Sequence, residues 1–119
     1  MFLAYIVVTI AAAAANIYAA ANDFIRPRWL LESMTRVGVP ESWLAGLGLL
    51  KAAGAVGLLV GFGVPSVGTA AGIGLILFFS AAILTHLRAG DRSFGVAAGF
   101  LLLAAASVVL GYMPGGPQR

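Results

Sequence analysis

Four long and almost uncharged segments constrain the fold of this chain more than any other feature. They cover about residues 2–22, 42–62, 67–87 and 94–112 of the 119 residues. A helix needs ~20 apolar residues to cross the ~30 Å hydrocarbon layer of a bilayer. Backbone polar groups must be satisfied within each segment in lipid, so each segment is expected to be helical. The sequence therefore predicts one integral membrane domain over residues 1–119, with four spans.

The composition agrees with a membrane location and excludes several function classes. Hydrophobic residues make up 61% of the chain and charged residues 9%, and the mean hydropathy is +1.03. Soluble domains carry roughly 25% charged residues. The absence of cysteine excludes disulfides and thiol chemistry, and a single histidine with four carboxylates predicts no metal site. The net charge of +3 comes from arginines in connecting segments, so no nucleic-acid partner is expected.

Short connections between the apolar segments set the expected topology. The second and third segments are joined by GVPS at residues 63–66, and the third and fourth by RAGDRS at residues 88–93. Connections this short place neighbouring helices antiparallel. The fold class is therefore predicted to be all-α, an integral membrane up-down four-helix bundle.

The first connection, FIRPRWLLESMTRVGVP at residues 24–40, is too polar to span a membrane. Pro27 is suited to open a short helix, on which Leu30, Met34 and Val37 share one face. The other face carries Arg28, Glu32, Thr35 and Arg36. The pattern predicts a short interfacial amphipathic helix between the first and second spans, with Trp29 and Trp43 at the headgroup level.

The distribution of arginines predicts the orientation. The first and third connections, which lie on the same side of the membrane, contain Arg26, Arg28, Arg36, Arg88 and Arg92. The positive-inside rule places this side in the cytoplasm and both termini outside. A competing interpretation treats AAAAANIYAAAND, residues 11–23, as the end of a cleaved signal peptide. The amino end lacks the lysine or arginine of such a peptide, which favours a retained span.

One lysine interrupts the second apolar segment, in the run LGLLKAAGAVGLLVG at residues 47–61. Lys51 lies ~14 Å from the cytoplasmic end of its helix, where insertion of a lysine costs about 2.5–3.5 kcal/mol. Asn16, Asp23, Ser80 and His86 are expected at a similar depth and are predicted to converge on its ammonium group. The candidate ligand-binding residues are Asn16, Lys51, Ser80 and His86.

A structural interpretation of the same residues stays open. Lys51 would then reach toward the interface and pair with Asp23 to fix the register of the helices. Tyr5, Thr9, Asn16 and Asp23 share one stripe of the first helix, which is also typical of a hydrogen-bonded seam between helices. In this interpretation the polar residues hold the helices together and contact no ligand.

Three G-x-x-x-G pairs lie on three different segments. They are Gly57 and Gly61, Gly68 and Gly72, and Gly95 and Gly99. Such pairs allow close approach of helix backbones in lipid. We expect all three to pack within the bundle, and a homodimer face is the alternative.

Two stretches resemble a known family. GVPESWLAGLGLLKAAGAVGLLVG at residues 38–61 and ILTHLRAGD at residues 83–91 are similar to the DoxX-like family of small bacterial four-helix membrane proteins. The resemblance places Lys51, His86, Arg88 and Asp91 at family motif positions. It implies the bacterial cytoplasmic (inner) membrane and a bundle able to hold a lipophilic molecule. It also implies a link to membrane redox complexes, so a quinone is one candidate ligand, whereas no intrinsic cofactor is expected.

Three functions remain open on the sequence. The first is binding of a lipophilic small molecule, quinone-like or sterol- or lipid-like, in the inner half of the bundle, as an accessory subunit of a membrane redox system. The second is an intramembrane isomerase or hydrolase, in which Lys51 acts as base and Asp23 or His86 is its proton partner, because burial disfavours a charged lysine. The third is a structural subunit that only packs against a membrane partner. Whether the protein is an enzyme stays open.

Overall fold

The computed structural model describes residues 2–91 and 95–112, and in this part of the chain all regular structure is helical. Five α-helices follow one another: α1 (Phe2–Ile25), α2 (Arg28–Val37), α3 (Leu44–Val60), α4 (Pro65–Arg88) and α5 (Gly95–Gly111). A single 3-10 turn, Glu41–Trp43, precedes α3. The prediction of an all-α fold is confirmed. Arg92, Arg119 and the predicted start of the fourth span at residue 94 lie outside the described residues.

Three helical stretches are long and apolar enough to cross a membrane. They are Phe2–Ile25, Glu41–Val60 and Pro65–Arg88. The helix α5 is also apolar, but its 17 described residues make it shorter than the other three. Length and composition thus support three candidate spans directly, where the sequence predicts four.

Two residues with a left-handed backbone conformation separate α2 from the helices on either side of it. Arg26 has a φ of 61° and donates its N–H to the Asn22 carbonyl at 2.8 Å, which ends α1 just before Pro27. Gly38, with a φ of 77°, ends α2, and the next N–H reaches back to the Met34 carbonyl at 3.0 Å. Glycine adopts this conformation without the steric cost that a Cβ would add. The chain therefore turns sharply at both ends of α2.

The predicted amphipathic character of α2 is confirmed. Met34 is buried, and Leu30 and Val37 are half-buried on the same side of the helix. The opposite face is exposed and consists of Arg28, Glu32, Thr35 and Arg36. The helix therefore turns its apolar face toward the other helices.

The four longer helices share one core. α1 packs against α3 and α5, and α4 packs against the same two helices. Each of the four contributes to a buried apolar cluster, which consists of Ala12, Leu58, Leu75, Phe79 and Ala104. The small alanines on α1 and α5 let the larger side chains of α3 and α4 fill the centre.

The facing side chains of α3 and α4 increase in size along the pair. Starting at the turn between the helices, the facing pairs are Gly61 with Gly68, Gly57 with Ala71, Gly54 with Leu75, and Lys51 with Phe78. A Cβ on Gly61 would lie 2.5 Å from the Gly68 Cα, so the two backbones touch at the turn. Bulky pairs at the other end do not allow that approach.

The three glycine pairs differ in whether they face another helix. Gly57, Gly61 and Gly68 face the neighbouring helix across the α3–α4 contact, and Gly72 faces Val108 of α5, so packing within the protein is confirmed for two pairs. A Cβ added to Gly95 or Gly99 would meet no atom within 4 Å, so both face away from the described helices. The prediction that this third pair packs within the bundle is wrong, because α5 turns its other side inward.

Candidate functional site

The deep lysine forms an ion pair with the first helix. Lys51 Nζ donates to Asp23 Oδ2 at 2.9 Å, and the two side chains are 14% and 3% exposed. The ammonium also lies 5.6 Å from the centroid of the Phe78 ring, a favourable position over an aromatic face. The pair predicted by the structural interpretation is therefore present, and it joins α1, α3 and α4 at one point.

A glycine one turn before the lysine allows this contact. A Cβ on Gly48 would lie 3.1 Å from both the Asp23 Cβ and the Phe24 ring. Because Gly48 has no side chain, the end of α1 can approach α3, which brings Asp23 within reach of Lys51. Sequence reasoning did not identify Gly48 or Phe78 as part of the site, although Gly48 lies three residues before Lys51 and thus on the same face of α3.

The ion pair lies in the wall of a cavity of about 820 Å³. Sites for drug-sized molecules have volumes of roughly 300–1,000 Å³ and are mostly apolar with a few polar groups. The aromatic lining consists of Tyr18, Trp29, Trp43, Phe78, Phe79 and Phe100. The polar lining consists of Asn22, Asp23, Ser33, Lys51, Thr85 and His86. The cavity combines a large apolar surface with one charged pair.

The amphipathic helix α2 forms one wall of this cavity. Leu30, Ser33, Met34 and Val37 line it from the inner face of the helix. Ion pairs fasten the chain near both ends of α2: Arg26 Nη1 to Glu41 Oε2 at 3.1 Å, and Arg36 Nε to Asp91 Oδ2 at 3.7 Å. The apolar face of α2 thus covers the cavity while its charged face points outward.

His86 lines the cavity near the end of α4. Its Nδ1 lies 2.9 Å from the Ala82 carbonyl oxygen, and because a carbonyl only accepts, Nδ1 carries the proton in this bond. In a neutral ring Nε2 is then an acceptor. Thr85 donates its hydroxyl to the Ala81 carbonyl at 2.9 Å. Both side chains are fixed by the preceding turn of their own helix.

Two predicted ligand contacts lie away from the cavity. Ser80 belongs to the exposed stripe of α4 that also contains Leu77 and Leu84, so the structure does not bring it to Lys51. Asn16 is 1% exposed and donates Nδ2 to the Ala12 carbonyl at 2.9 Å. It shares the buried face of α1 with Asp23 but lies two turns, or ~10.5 Å, further along the helix.

The rest of the polar stripe on α1 forms a seam between helices. Thr9 and Ser107 hydroxyls lie 2.6 Å apart across the α1–α5 contact, and these residues are 0% and 3% exposed. Tyr5 is buried on the same stripe and meets the Phe62 ring edge-on at 5.6 Å between centroids. The stripe thus serves helix packing at one end and reaches the cavity only at Asp23.

The cavity offers hydrogen-bonding groups, and the described residues form no metal site. Within residues 2–91 and 95–112, no three His, Cys, Asp or Glu side chains are grouped so as to hold a metal ion. The chemistry that the cavity offers is hydrogen bonding from Lys51 and to Asp23 and His86.

Comparison with known proteins identifies one relationship. The model of the DoxX-like family matches residues 7–109, which is most of the chain. No curated protein and no solved structure gives a significant match. The family, together with three long apolar helices, indicates a multi-pass membrane protein associated with the lipid bilayer. From this match over almost its whole length, the chain belongs to the DoxX-like family.

Proposed function

We propose that this DoxX-like protein binds a lipophilic small molecule, quinone-like or sterol- or lipid-like, in the cavity beneath α2. The observation that carries the proposal is a large apolar cavity with a single ion pair, Lys51 with Asp23, in its wall. The lining is mostly apolar and the ion pair is its one charged feature, a combination that is typical of sites for small lipophilic molecules.

The lining supports a molecule with a flat or branched apolar body. Trp43, Phe78, Phe79 and Phe100 offer aromatic surface from three different parts of the fold. Aromatic side chains supply large contact areas and favour stacking on rings. A quinone ring or a sterol nucleus fits this chemistry.

The polar end of the molecule would be held at the ion pair. A carbonyl oxygen accepts a hydrogen bond from Lys51 Nζ, which has three donors and uses one on Asp23. His86 adds an acceptor for a hydroxyl on the same molecule. With a quinone in place, the protein would act as an accessory subunit of a membrane redox system and would not itself carry the electron.

The proposal includes a fourth crossing by α5, which completes an up-down four-helix bundle, and an interfacial position for α2. Arg26, Arg28, Arg36 and Arg88 are exposed near the cavity end of the helices. The positive-inside rule then places the cavity in the cytoplasmic half of the inner membrane, with both termini outside.

The experiment is native mass spectrometry of the purified protein with lipid extraction, on two matched variants. Ala19 lines the cavity, whereas Ala21, two residues along the same helix, is exposed and does not. We expect a defined small molecule to co-purify with the wild type and with Ala21→Phe, and to be retained less by Ala19→Phe because the added ring takes up part of the cavity.

Circular dichroism and size-exclusion chromatography would establish that both variants fold. Equal retention of the molecule by the folded Ala19→Phe protein, or no bound molecule in any form after reconstitution with quinone and sterol, would contradict the proposal. The alternative of a purely structural subunit would then be favoured.

A further inference from the structure

The charges in the cavity wall cancel each other. Among the described residues that line it, Lys51 and Asp23 are the two with a formal charge at neutral pH, apart from the titratable His86. They are in direct contact at 2.9 Å, and both side chains are largely buried. The wall therefore presents a dipole with donors and acceptors but no net charge from this pair.

An additional charge would be poorly accommodated beside such a pair. An anionic head group at Lys51 would also lie next to the Asp23 carboxylate, which is 3% exposed. Repulsion between like charges is strong where water is scarce. A hydroxyl group, in contrast, can accept from Lys51 or donate to Asp23, and a carbonyl group can accept from Lys51, without displacing either partner of the pair.

We propose that the cavity selects uncharged head groups, such as those of alcohols, ketones and quinones, over anionic amphiphiles, and that Asp23 determines this selectivity by neutralising Lys51. The inference rests on the proposed function and specifies its ligand class. It differs from what the overall charge suggests, since a chain of net charge +3 with exposed arginines around the cavity would be expected to favour anions.

The exposed arginines do not alter the balance inside the cavity. Arg26 and Arg36 have carboxylate partners of their own, in Glu41 and Asp91, and none of these four side chains lines the cavity. Arg28 and Arg88 are exposed and do not line the cavity either, and the fields of exposed charges are screened by salt over about 10 Å. Among the formally charged side chains of the described residues, only the buried pair therefore lines the cavity, together with His86.

The chain carries its own reporters for a test. Its two tryptophans, Trp29 and Trp43, both line the cavity. We would reconstitute the protein in nanodiscs and measure quenching of their fluorescence by two dibrominated amphiphiles of equal chain length, an alcohol and a sulfonate. The sulfonate stays anionic at every pH used. Because Trp29 and Trp43 are 58% and 57% exposed, quencher dissolved in the surrounding lipid also contacts them. Binding in the cavity is therefore reported by quenching that saturates and that Ala19→Phe weakens.

Expected results follow from the charge of each variant. The wild type should bind the alcohol more tightly than the sulfonate. Asp23→Asn exposes the charge of Lys51 and should shift the affinity ratio toward the sulfonate by about tenfold or more. The double variant Asp23→Asn/Lys51→Met is neutral again and should return to the alcohol. The matched control is Glu32→Gln, which removes an exposed carboxylate on the outer face of α2 that does not line the cavity, and it should leave the ratio unchanged.

The outcomes separate this inference from the proposed function. Tighter or equal binding of the sulfonate by the wild type would overturn the selectivity while leaving a lipophilic site in place. A preference of the double variant for the sulfonate would also overturn it, and this comparison holds even if Asp23→Asn alone does not fold. Absence of saturable quenching by both ligands in every variant would instead refute the proposed function.

Discussion

The two ends of the helix assembly are built differently. At one end, the turn between α3 and α4 brings Gly61 and Gly68 into backbone contact, and Tyr5 closes the adjacent space against Phe62. At the other end, Lys51 and Phe78 occupy the corresponding positions, and a cavity of about 820 Å³ lies beside them. The two helices α3 and α4 are thus in backbone contact at the glycines, which we call the closed end, and have a cavity beside them at the lysine, which we call the open end.

The difference shows how small residues determine where two helices pack closely and where space remains beside them. Glycine facing glycine permits backbone contact, and each larger pair along α3 and α4 prevents it. The buried polar groups also differ between the two ends of the helix assembly. Thr9 and Ser107 satisfy each other at 2.6 Å in the packed part, whereas Lys51 and Asp23 satisfy each other in a wall with open volume beside it.

The largest effect is expected from breaking the ion pair at the open end. Lys51→Met leaves the Asp23 carboxylate buried without its partner, and removing one member of a buried pair costs about 3–5 kcal/mol. We expect the free energy of unfolding in detergent, measured by denaturant titration, to fall by that order.

The double variant Lys51→Met/Asp23→Leu serves as the control. It removes both charges and should regain most of the lost stability, because an apolar pair of similar volume is often as stable as a buried ion pair. A double variant as unstable as Lys51→Met would show that the open end depends on the ion pair itself and not on charge balance.

A smaller loss is expected at the closed end from adding one methyl group. Gly61→Ala places a Cβ 2.5 Å from the Gly68 Cα, so the helix backbones must separate, at a cost of about 1–3 kcal/mol. Thermal unfolding monitored by circular dichroism would measure it. Gly74→Ala on α4 is the matched control, since nothing lies within 4 Å of its Cβ position, and it should be neutral or slightly stabilising. Equal effects of the two substitutions would contradict the close contact.

Much of this fold is predictable from the sequence, because lipid leaves few options for an apolar segment. The long apolar segments predict the helices α1, α3 and α4, and the spacing of Leu30, Met34 and Val37 predicts the inner face of α2. The packing prediction fails for the third glycine pair, Gly95 and Gly99, because hydrophobicity does not distinguish the inner side of an apolar helix from its lipid-facing side.

The charged residues of the site are predictable from the sequence, because a buried charge needs a partner. The uncharged residues of the site are not predictable in this way. A deep lysine needs a carboxylate, which identifies Asp23. Ser80 is exposed on the surface of α4, and depth in the membrane does not determine the direction in which a side chain points. Gly48 and Phe78 have no polar group that would mark them, so only the packing of three helices shows their role.

The smallest effect is expected from the seam between α1 and α5. Thr9→Val and Ser107→Ala each leave one hydroxyl buried without a partner, so the single variants should lose stability and the double variant should lose less than their sum. Hydrogen bonds between transmembrane helices contribute about 0.6 kcal/mol on average, and a double-mutant cycle of unfolding free energies would measure the coupling.

Because Thr9 and Ser107 do not line the cavity, ligand retention in native mass spectrometry should stay at the wild-type level in all three variants. Loss of the ligand from these variants would mean that the packed and open ends are energetically coupled, and the division of the molecule into two independent parts would be wrong.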